Sequence, residues 1–133
     1  EITARVKDVC VKLGLGNYLV RRPKELSGGQ QQLVALARAI VKNPSVCLLD
    51  EPLSNVDAQK RPEVRKLIVD TLRQEGCTVV YVTHDISEAF AIADKIFVLD
   101  NGKIALSGTP DEVAVSGHPL ITSARSANDY DID

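Results

Sequence analysis

The 133-residue chain is sparing in cysteine, in long apolar runs and in surplus charge of either sign. Its cysteines, Cys10, Cys47 and Cys77, are odd in number, far apart and not arranged as CxxC. This excludes a disulfide-built scaffold and reads as three small core residues of a protein kept in a reducing compartment. No uninterrupted apolar stretch approaches the roughly 20 residues that a membrane-spanning helix needs. Sixteen Lys and Arg stand against eighteen Asp and Glu, a net charge of −2. That balance argues against a large sequence-independent grip on nucleic acid, and no nucleic-acid partner is expected. The start, Glu1-Ile2-Thr3-Ala4-Arg5, has no signal-peptide pattern and no Met. It opens directly inside a helical pattern, so a clipped or truncated chain is expected. Internal repeats and low-complexity blocks are also missing. What is present is ordinary globular material, 44% hydrophobic and 26% charged, in a chain long enough to bury a real core.

Apolar residues at helical spacing over 2–13 predict a first helix, ended by Gly14 and Gly16. A polar connector over 17–26 leads to Ser27, which with Gln30 fits an S-x-x-Q capping box at the start of a second helix. Asn43-Pro44 stops that helix. Val46-Cys47-Leu48-Leu49 reads as a buried parallel strand ending at Asp50-Glu51-Pro52. Asp57 can cap a third helix running to about Glu75, although Pro62 allows a later start. Thr78–Val82 reads as a second buried strand, followed by a helix over 86–93 capped by Asp85. Asn101-Gly102 signals a hairpin between 95–99 and 103–106. Thr109, Pro110 and Glu112 open a last short helix. Residues 122–133, with Asp129, Asp131 and Asp133, read as an exposed tail. The alternation of strands and helices predicts an α/β fold with a parallel sheet.

Three groups of residues could carry chemistry. In Leu26-Ser27-Gly28-Gly29-Gln30, two glycines after a capping Ser let another group approach the backbone. The free N–H groups and helix dipole there suit an anion; a plain glycine-rich helix entry gives the same tripeptide. Asp50 stands at the carboxyl end of a parallel strand, where open α/β sheets bind ligands. It could hold Mg²⁺ through water, and Glu51 could polarise an attacking water; a surface carboxylate pair reads equally well in isolation. His84 follows the carboxyl end of the other strand and could donate to a phosphate oxygen, or be structural.

Order and spacing bind these groups together. Leu26 to Gln30, Leu48-Leu49-Asp50-Glu51-Pro52, Ser54-Asn55-Val56-Asp57 and Val82-Thr83-His84-Asp85 resemble the ATPase subunit of ATP-binding cassette (ABC) transporters. The resemblance covers about residues 1–117. It makes LSGGQ the signature motif, Asp50 and Glu51 the Walker B strand with its catalytic glutamate, Ser54–Asp57 the D-loop, and His84 the switch histidine. Gln30-Gln31-Gln32 with Ala35–Ala39, Glu51-Pro52-Leu53-Ser54-Asn55 and Gly108-Thr109-Pro110 are similar to the branch that includes sugar and polyamine importers. Leu33 stands where that branch usually has Arg, and Val56 where the D-loop usually has Leu.

The resemblance implies a partial P-loop NTPase (RecA-like) parallel sheet with helices plus part of the ABC helical subdomain. It assigns 1–117 to the C-terminal half of an ATPase domain, with 1–43 helical subdomain and 44–117 core, and leaves 118–133 as an acidic tail. It implies ATP and Mg as cofactors, with Glu51 and His84 catalytic and Asp50 toward the metal. Ser27, Gly28, Gly29 and Gln30 would grip ATP held by a partner, with Asp57 in the D-loop. The implied partners are a second ATPase subunit, head to tail, and transmembrane permease subunits. The implied location is the cytoplasmic face of the cell membrane, peripheral through the permease. No G-x-x-x-x-G-K-[ST] phosphate loop occurs in the 133 residues, so the chain alone is expected to be inactive. In the family, that loop's strand lies between the strands at 78–82 and 96–99, and without it two strand edges are expected to stand open. Two other readings stay open: a short subunit that offers a partner only a signature face, and a non-transport member of the superfamily, against which the lack of a heptad run speaks.

Overall fold

The computed structural model describes residues 1–128, and the chain forms two compact units, Glu1–Val82 and a second from Thr83 onward. In the first, α1 (Ile2–Lys12) leads through two short 3-10 turns to α2 (Gly28–Val41). Then come β1 (Val46–Asp50), α3 (Arg61–Gln74) and β2 (Thr78–Val82). Strands β1 and β2 are parallel, in register from Val46 opposite Thr78 to Asp50 opposite Val82. The α3 crossover between two parallel strands is the expected βαβ connection.

Apolar periodicity builds this unit's core. Val9, Cys10 and Leu13 of α1, Leu36, Ala37 and Ile40 of α2, Cys47 of β1, and Ile68 and Leu72 of α3 are buried together. Leu33 packs against the same cluster, so the position that usually holds Arg in the importer branch is apolar and partly buried here. Cys10 and Cys47 are core residues as expected; Cys77 is only half-buried but packs on the same cluster. Burial pushes the Cys10 and Cys47 thiols up, with Cys77 adding to the effect at Cys47.

Two expectations need correction here. Helix α3 begins at Arg61, not at Asp57: residues 57–60 form a turn in which the Asp57 carbonyl accepts from the Lys60 and Arg61 N–H groups. The Asp57 side chain therefore does not cap the helix, and Pro62 sits inside the first turn, where its missing N–H costs least. Neither strand is buried on both faces. Cys47, Leu49, Val79 and Tyr81 alternate with exposed residues, and Leu48 is 75% exposed. Val46, Leu48, Val80 and Val82 form an open apolar row, because within this unit helices cover only the opposite face. Within the unit β2 also pairs only with β1, leaving its other edge without a partner strand.

Helix α1 is fastened to the far end of α3 by charge. Glu75, just after α3, accepts from Arg5 Nη2 at 2.5 Å and from Lys12 Nζ at 2.9 Å, and Asp8 pairs with both cations from the α1 side.

In the second unit, α4 (Ile86–Ile92) is capped by Asp85, whose carboxylate accepts from the Ser87 and Glu88 N–H groups. Strands β3 (Ile96–Asp100) and β4 (Lys103–Gly108) form the expected antiparallel hairpin. Asn101 and Gly102 both have positive φ, as the tight turn requires. The capping box of Thr109 and Glu112 starts α5 (Pro110–Val115). The expected acidic tail is a helix at its start: α6 spans Pro119–Asn128 and buries Ile121 beside Ile96 and Val113. Asp129, Asp131 and Asp133 lie outside the described residues.

Two outcomes follow from these features. The open apolar row of Val46, Leu48, Val80 and Val82 is a face on which another chain can associate. The 133-residue chain should therefore run above its 14.4 kDa monomer mass in size-exclusion chromatography with light scattering. A clean 14.4 kDa monomer would refute this. The hydrogen bond from Arg5, followed by that from Lys12, holds the Glu75 carboxyl below its ordinary 4.5. A group whose pKa is lower folded than unfolded binds more protons when unfolded. Its stabilisation is complete above about pH 4.5 and is lost as pH falls through the folded value. Glu75→Gln should remove that part of the acid sensitivity, seen as a smaller drop in denaturation midpoint between pH 6 and pH 3.

Candidate functional site

Helix α2 starts with the capping box expected from its sequence. Ser27 N–H donates to Gln30 Oε1 at 3.0 Å, and Gln30 N–H donates to Ser27 Oγ at 3.2 Å. The box occupies the Ser27 and Gln30 N–H groups, while those of Gly28 and Gly29 stay without an acceptor in the first turn, which is what an approaching anion needs. Gln31 fixes the entry: its Nε2 donates to the carbonyls of Pro23 and Leu26 at 3.1 and 3.2 Å.

The loop from Pro52 to Asp57 lies directly against this helix start. A Cβ placed on Gly28 would sit 3.4 Å from Asn55 Cβ, and one on Gly29 would sit 3.3 Å from Val56 Cγ2. The two glycines thus serve a second purpose, allowing the loop to approach as well as leaving N–H groups open. Leu53 and Val56 anchor the loop in the core. Gln32 Nε2 donates to Ser54 Oγ at 3.1 Å, and Arg61 Nε donates to the Val56 carbonyl at 3.0 Å. Sequence reading missed Gln32 and Arg61 as supports of the site. Arg61 carried a signal, a cation in the first turn of a helix, where the dipole favours acids. Asp57 ends the loop with its side chain exposed.

Asp50 is the last residue of β1 and is exposed. The chain turns immediately after it: Glu51 N–H donates to the Val82 carbonyl at 2.9 Å, and Glu51 takes φ +47°. A left-handed glutamate costs roughly 1–2 kcal/mol. Asp50 closes the strand and Glu51 opens the turn, so the two carboxylates stand side by side in the chain at the carboxyl end of β1. The structure therefore brings the signature glycines and the 52–57 loop into contact, with Asp50 and Glu51 at the loop's origin. His84 belongs to the second unit, where it is exposed between two fixed neighbours. Thr83 Oγ1 donates to the buried Glu88 carboxylate at 2.8 Å and accepts from Asp85 N–H at 3.0 Å.

Asp50 suits a hard cation shared with a ligand. Among the described residues no group of three or more His, Cys, Asp or Glu is placed to cage a metal. A single exposed carboxylate at a strand end fits Mg²⁺ that takes its other positions from phosphate oxygens and water.

Comparison with known proteins identifies the family. The family model for ABC transporters matches residues 1–54. The trehalose/maltose import ATP-binding protein MalK of Thermococcus litoralis is 51% identical over 113 residues, 85% of this chain and 30% of that protein. The oligosaccharides import ATP-binding protein MsmX of Bacillus subtilis is 50% identical over 113 residues, 85% of this chain and 31% of that protein. The chain thus spans about a third of the length of these relatives. The crystal structure of the ADP conformation of MJ1267, an ATP-binding cassette of an ABC transporter, superposes with a TM-score of 0.79 at 25% identity, covering 94% of this chain and 50% of that one. The motif order, the fold and these identities agree, and the chain belongs to the ABC transporter ATP-binding family.

Proposed function

We propose that the chain is the signature-to-switch portion of an ATPase that hydrolyses ATP, with Mg²⁺, to energise sugar import through membrane permease subunits. The observation that carries this reading is the seating of the 52–57 loop on Gly28 and Gly29, which links a phosphate-accepting helix start to the strand end bearing Glu51. The sugar-import part rests on the relatives, which are import ATP-binding proteins for trehalose, maltose and oligosaccharides.

In this reading Ser27, Gly28, Gly29 and Gln30 face the γ-phosphate of ATP held by a second ATPase subunit, paired head to tail. Their open N–H groups and the helix dipole stabilise its negative charge. Asp50 and Glu51 serve ATP held by the phosphate loop of their own protein. Glu51 accepts a proton from the attacking water. Mg²⁺, when held by Asp50 and the phosphates, supplies charge neutralisation. His84 donates to a phosphate oxygen. Asp57 ends the loop seated on Gly28 and Gly29 and belongs with the nucleotide-binding residues. No helix among the described residues is long and apolar enough to cross a membrane. The proposed position is peripheral, on the cytoplasmic face and held by permease subunits, as for import ATP-binding proteins such as those the chain resembles.

Positioning and charge neutralisation dominate phosphoryl transfer, and much of both belongs to a phosphate loop that these 133 residues do not contain. The 133-residue chain should therefore show no appreciable ATPase activity. Joined to an upstream half bearing that loop, it should hydrolyse ATP, and Glu51→Gln should then lower turnover by roughly a hundredfold or more while sparing ATP affinity. Mg²⁺-dependent hydrolysis by the short chain, abolished by Glu51→Gln, would overturn this.

The in-trans role is tested separately. In the joined protein, Gly29→Leu should block ATP-driven pairing, measured by light scattering, with little loss of ATP affinity in the monomer. Normal pairing with lost monomer binding would refute the assignment.

A further inference from the structure

We propose that Glu75 is a positioning residue for the phosphate-facing start of α2, acting from the opposite end of that helix. The proposal rests on the in-trans reading of Ser27–Gln30 given above. Helix α1 meets this carboxylate at the end of α3, and α2 is tied to it through Arg5. Arg5 and Lys12, two turns apart on α1, reach it at 2.5 and 2.9 Å, one cation on each oxygen. The same Arg5 Nη2 also donates to the carbonyl of Ile40 in the last turn of α2, at 3.2 Å. Glu75 itself closes α3: its N–H donates to the Thr71 carbonyl, and the next two N–H groups return to Arg73 and Leu72. The carboxylate is held on a rigid helix end, and its side chain is only 9% exposed.

Helix α2 has 14 residues and so is about 21 Å long at 1.5 Å per residue. At its start it touches the 52–57 loop through small groups, glycine against Asn55 and Val56, with one Gln32–Ser54 hydrogen bond. Such contacts allow a helix to slide or tilt. At its end the constraint is directional. A guanidinium that donates to both the Ile40 carbonyl and Glu75 fixes the last turn relative to α3, and charge-assisted bonds of this kind are about twice as strong as neutral ones. A shift at Ile40 is carried along a stiff rod to Gly28 and Gly29. Leu33, Leu36 and Ile40 grease the sides of that rod with apolar contact, which has no directional preference. The clamp therefore selects one orientation of α2 among several that the core would accept.

The test uses the longer ATPase in which this segment is joined to its phosphate-loop half. Glu75→Gln should weaken ATP-driven pairing by about tenfold and lower kcat, while the monomer's ATP affinity stays unchanged. Glu75→Asp should recover part of the pairing. Leu72→Ala, which removes a fully buried side chain from the same helix end, serves as the stability control. The role is overturned if Glu75→Gln pairs as well as the parent, or if Leu72→Ala loses pairing to the same degree at equal loss of thermal stability. Gly29→Leu separates the two levels of the argument. If Gly29→Leu blocks pairing and Glu75→Gln does not, the clamp fails and the in-trans reading stands; if Gly29→Leu pairs normally, both fail.

Discussion

The site depends on a single backbone hydrogen bond, from Glu51 N–H to the Val82 carbonyl. It is the last rung of the parallel β1–β2 ladder, and beyond it the chain cannot continue as a strand, because Glu51 already has φ +47°. Everything placed after it follows from that reversal. The chain is thrown back across the unit, Leu53 and Val56 enter the core, and the backbone of Asn55 comes to rest on two residues that have no side chains. Had Glu51 continued the strand, the Pro52–Asp57 loop would have run past the sheet and the start of α2 would face solvent alone.

What could be read from the sequence was mostly local. Ser27 with Gln30, Thr109 with Glu112, Asn101-Gly102 and the Asp85 cap of α4 all act within three residues along the chain, and each appears in the structure as its spacing implied. The features that were missed depend on distant partners. An apolar run such as Val46–Leu49 shows that a strand is buried somewhere, but not whether both faces have a covering layer; here one does not. Asp57 looked like a cap because it precedes a helical pattern, yet the Lys60 and Arg61 N–H groups were claimed first by its own carbonyl. Glu75 gave no sign in the sequence, since Arg5 lies seventy residues away from it. The reversed backbone at Glu51 was equally hidden, because glutamate is not a residue that advertises positive φ.

The arrangement divides labour between two kinds of contact. The start of α2 is built from absences: no side chains at Gly28 and Gly29, and N–H groups left open by a capping box that uses only its own outer members. The end of α2 is built from charge. In the proposed reading, a surface that receives a phosphate keeps its N–H groups open, and the rigidity that orients it is supplied elsewhere on the same helix.

The cysteines give the molecule a built-in reporter. Cys10 and Cys47 are buried, and burial holds both as thiols, whereas Cys77 is half-exposed immediately before β2. A thiol-directed fluorophore at neutral pH will therefore attach at Cys77 first. That dye would sit two residues from Glu75 and one from the strand that supplies the Val82 carbonyl. Its emission would report on the sheet and on the charged clamp together, in the native sequence, without an engineered label site.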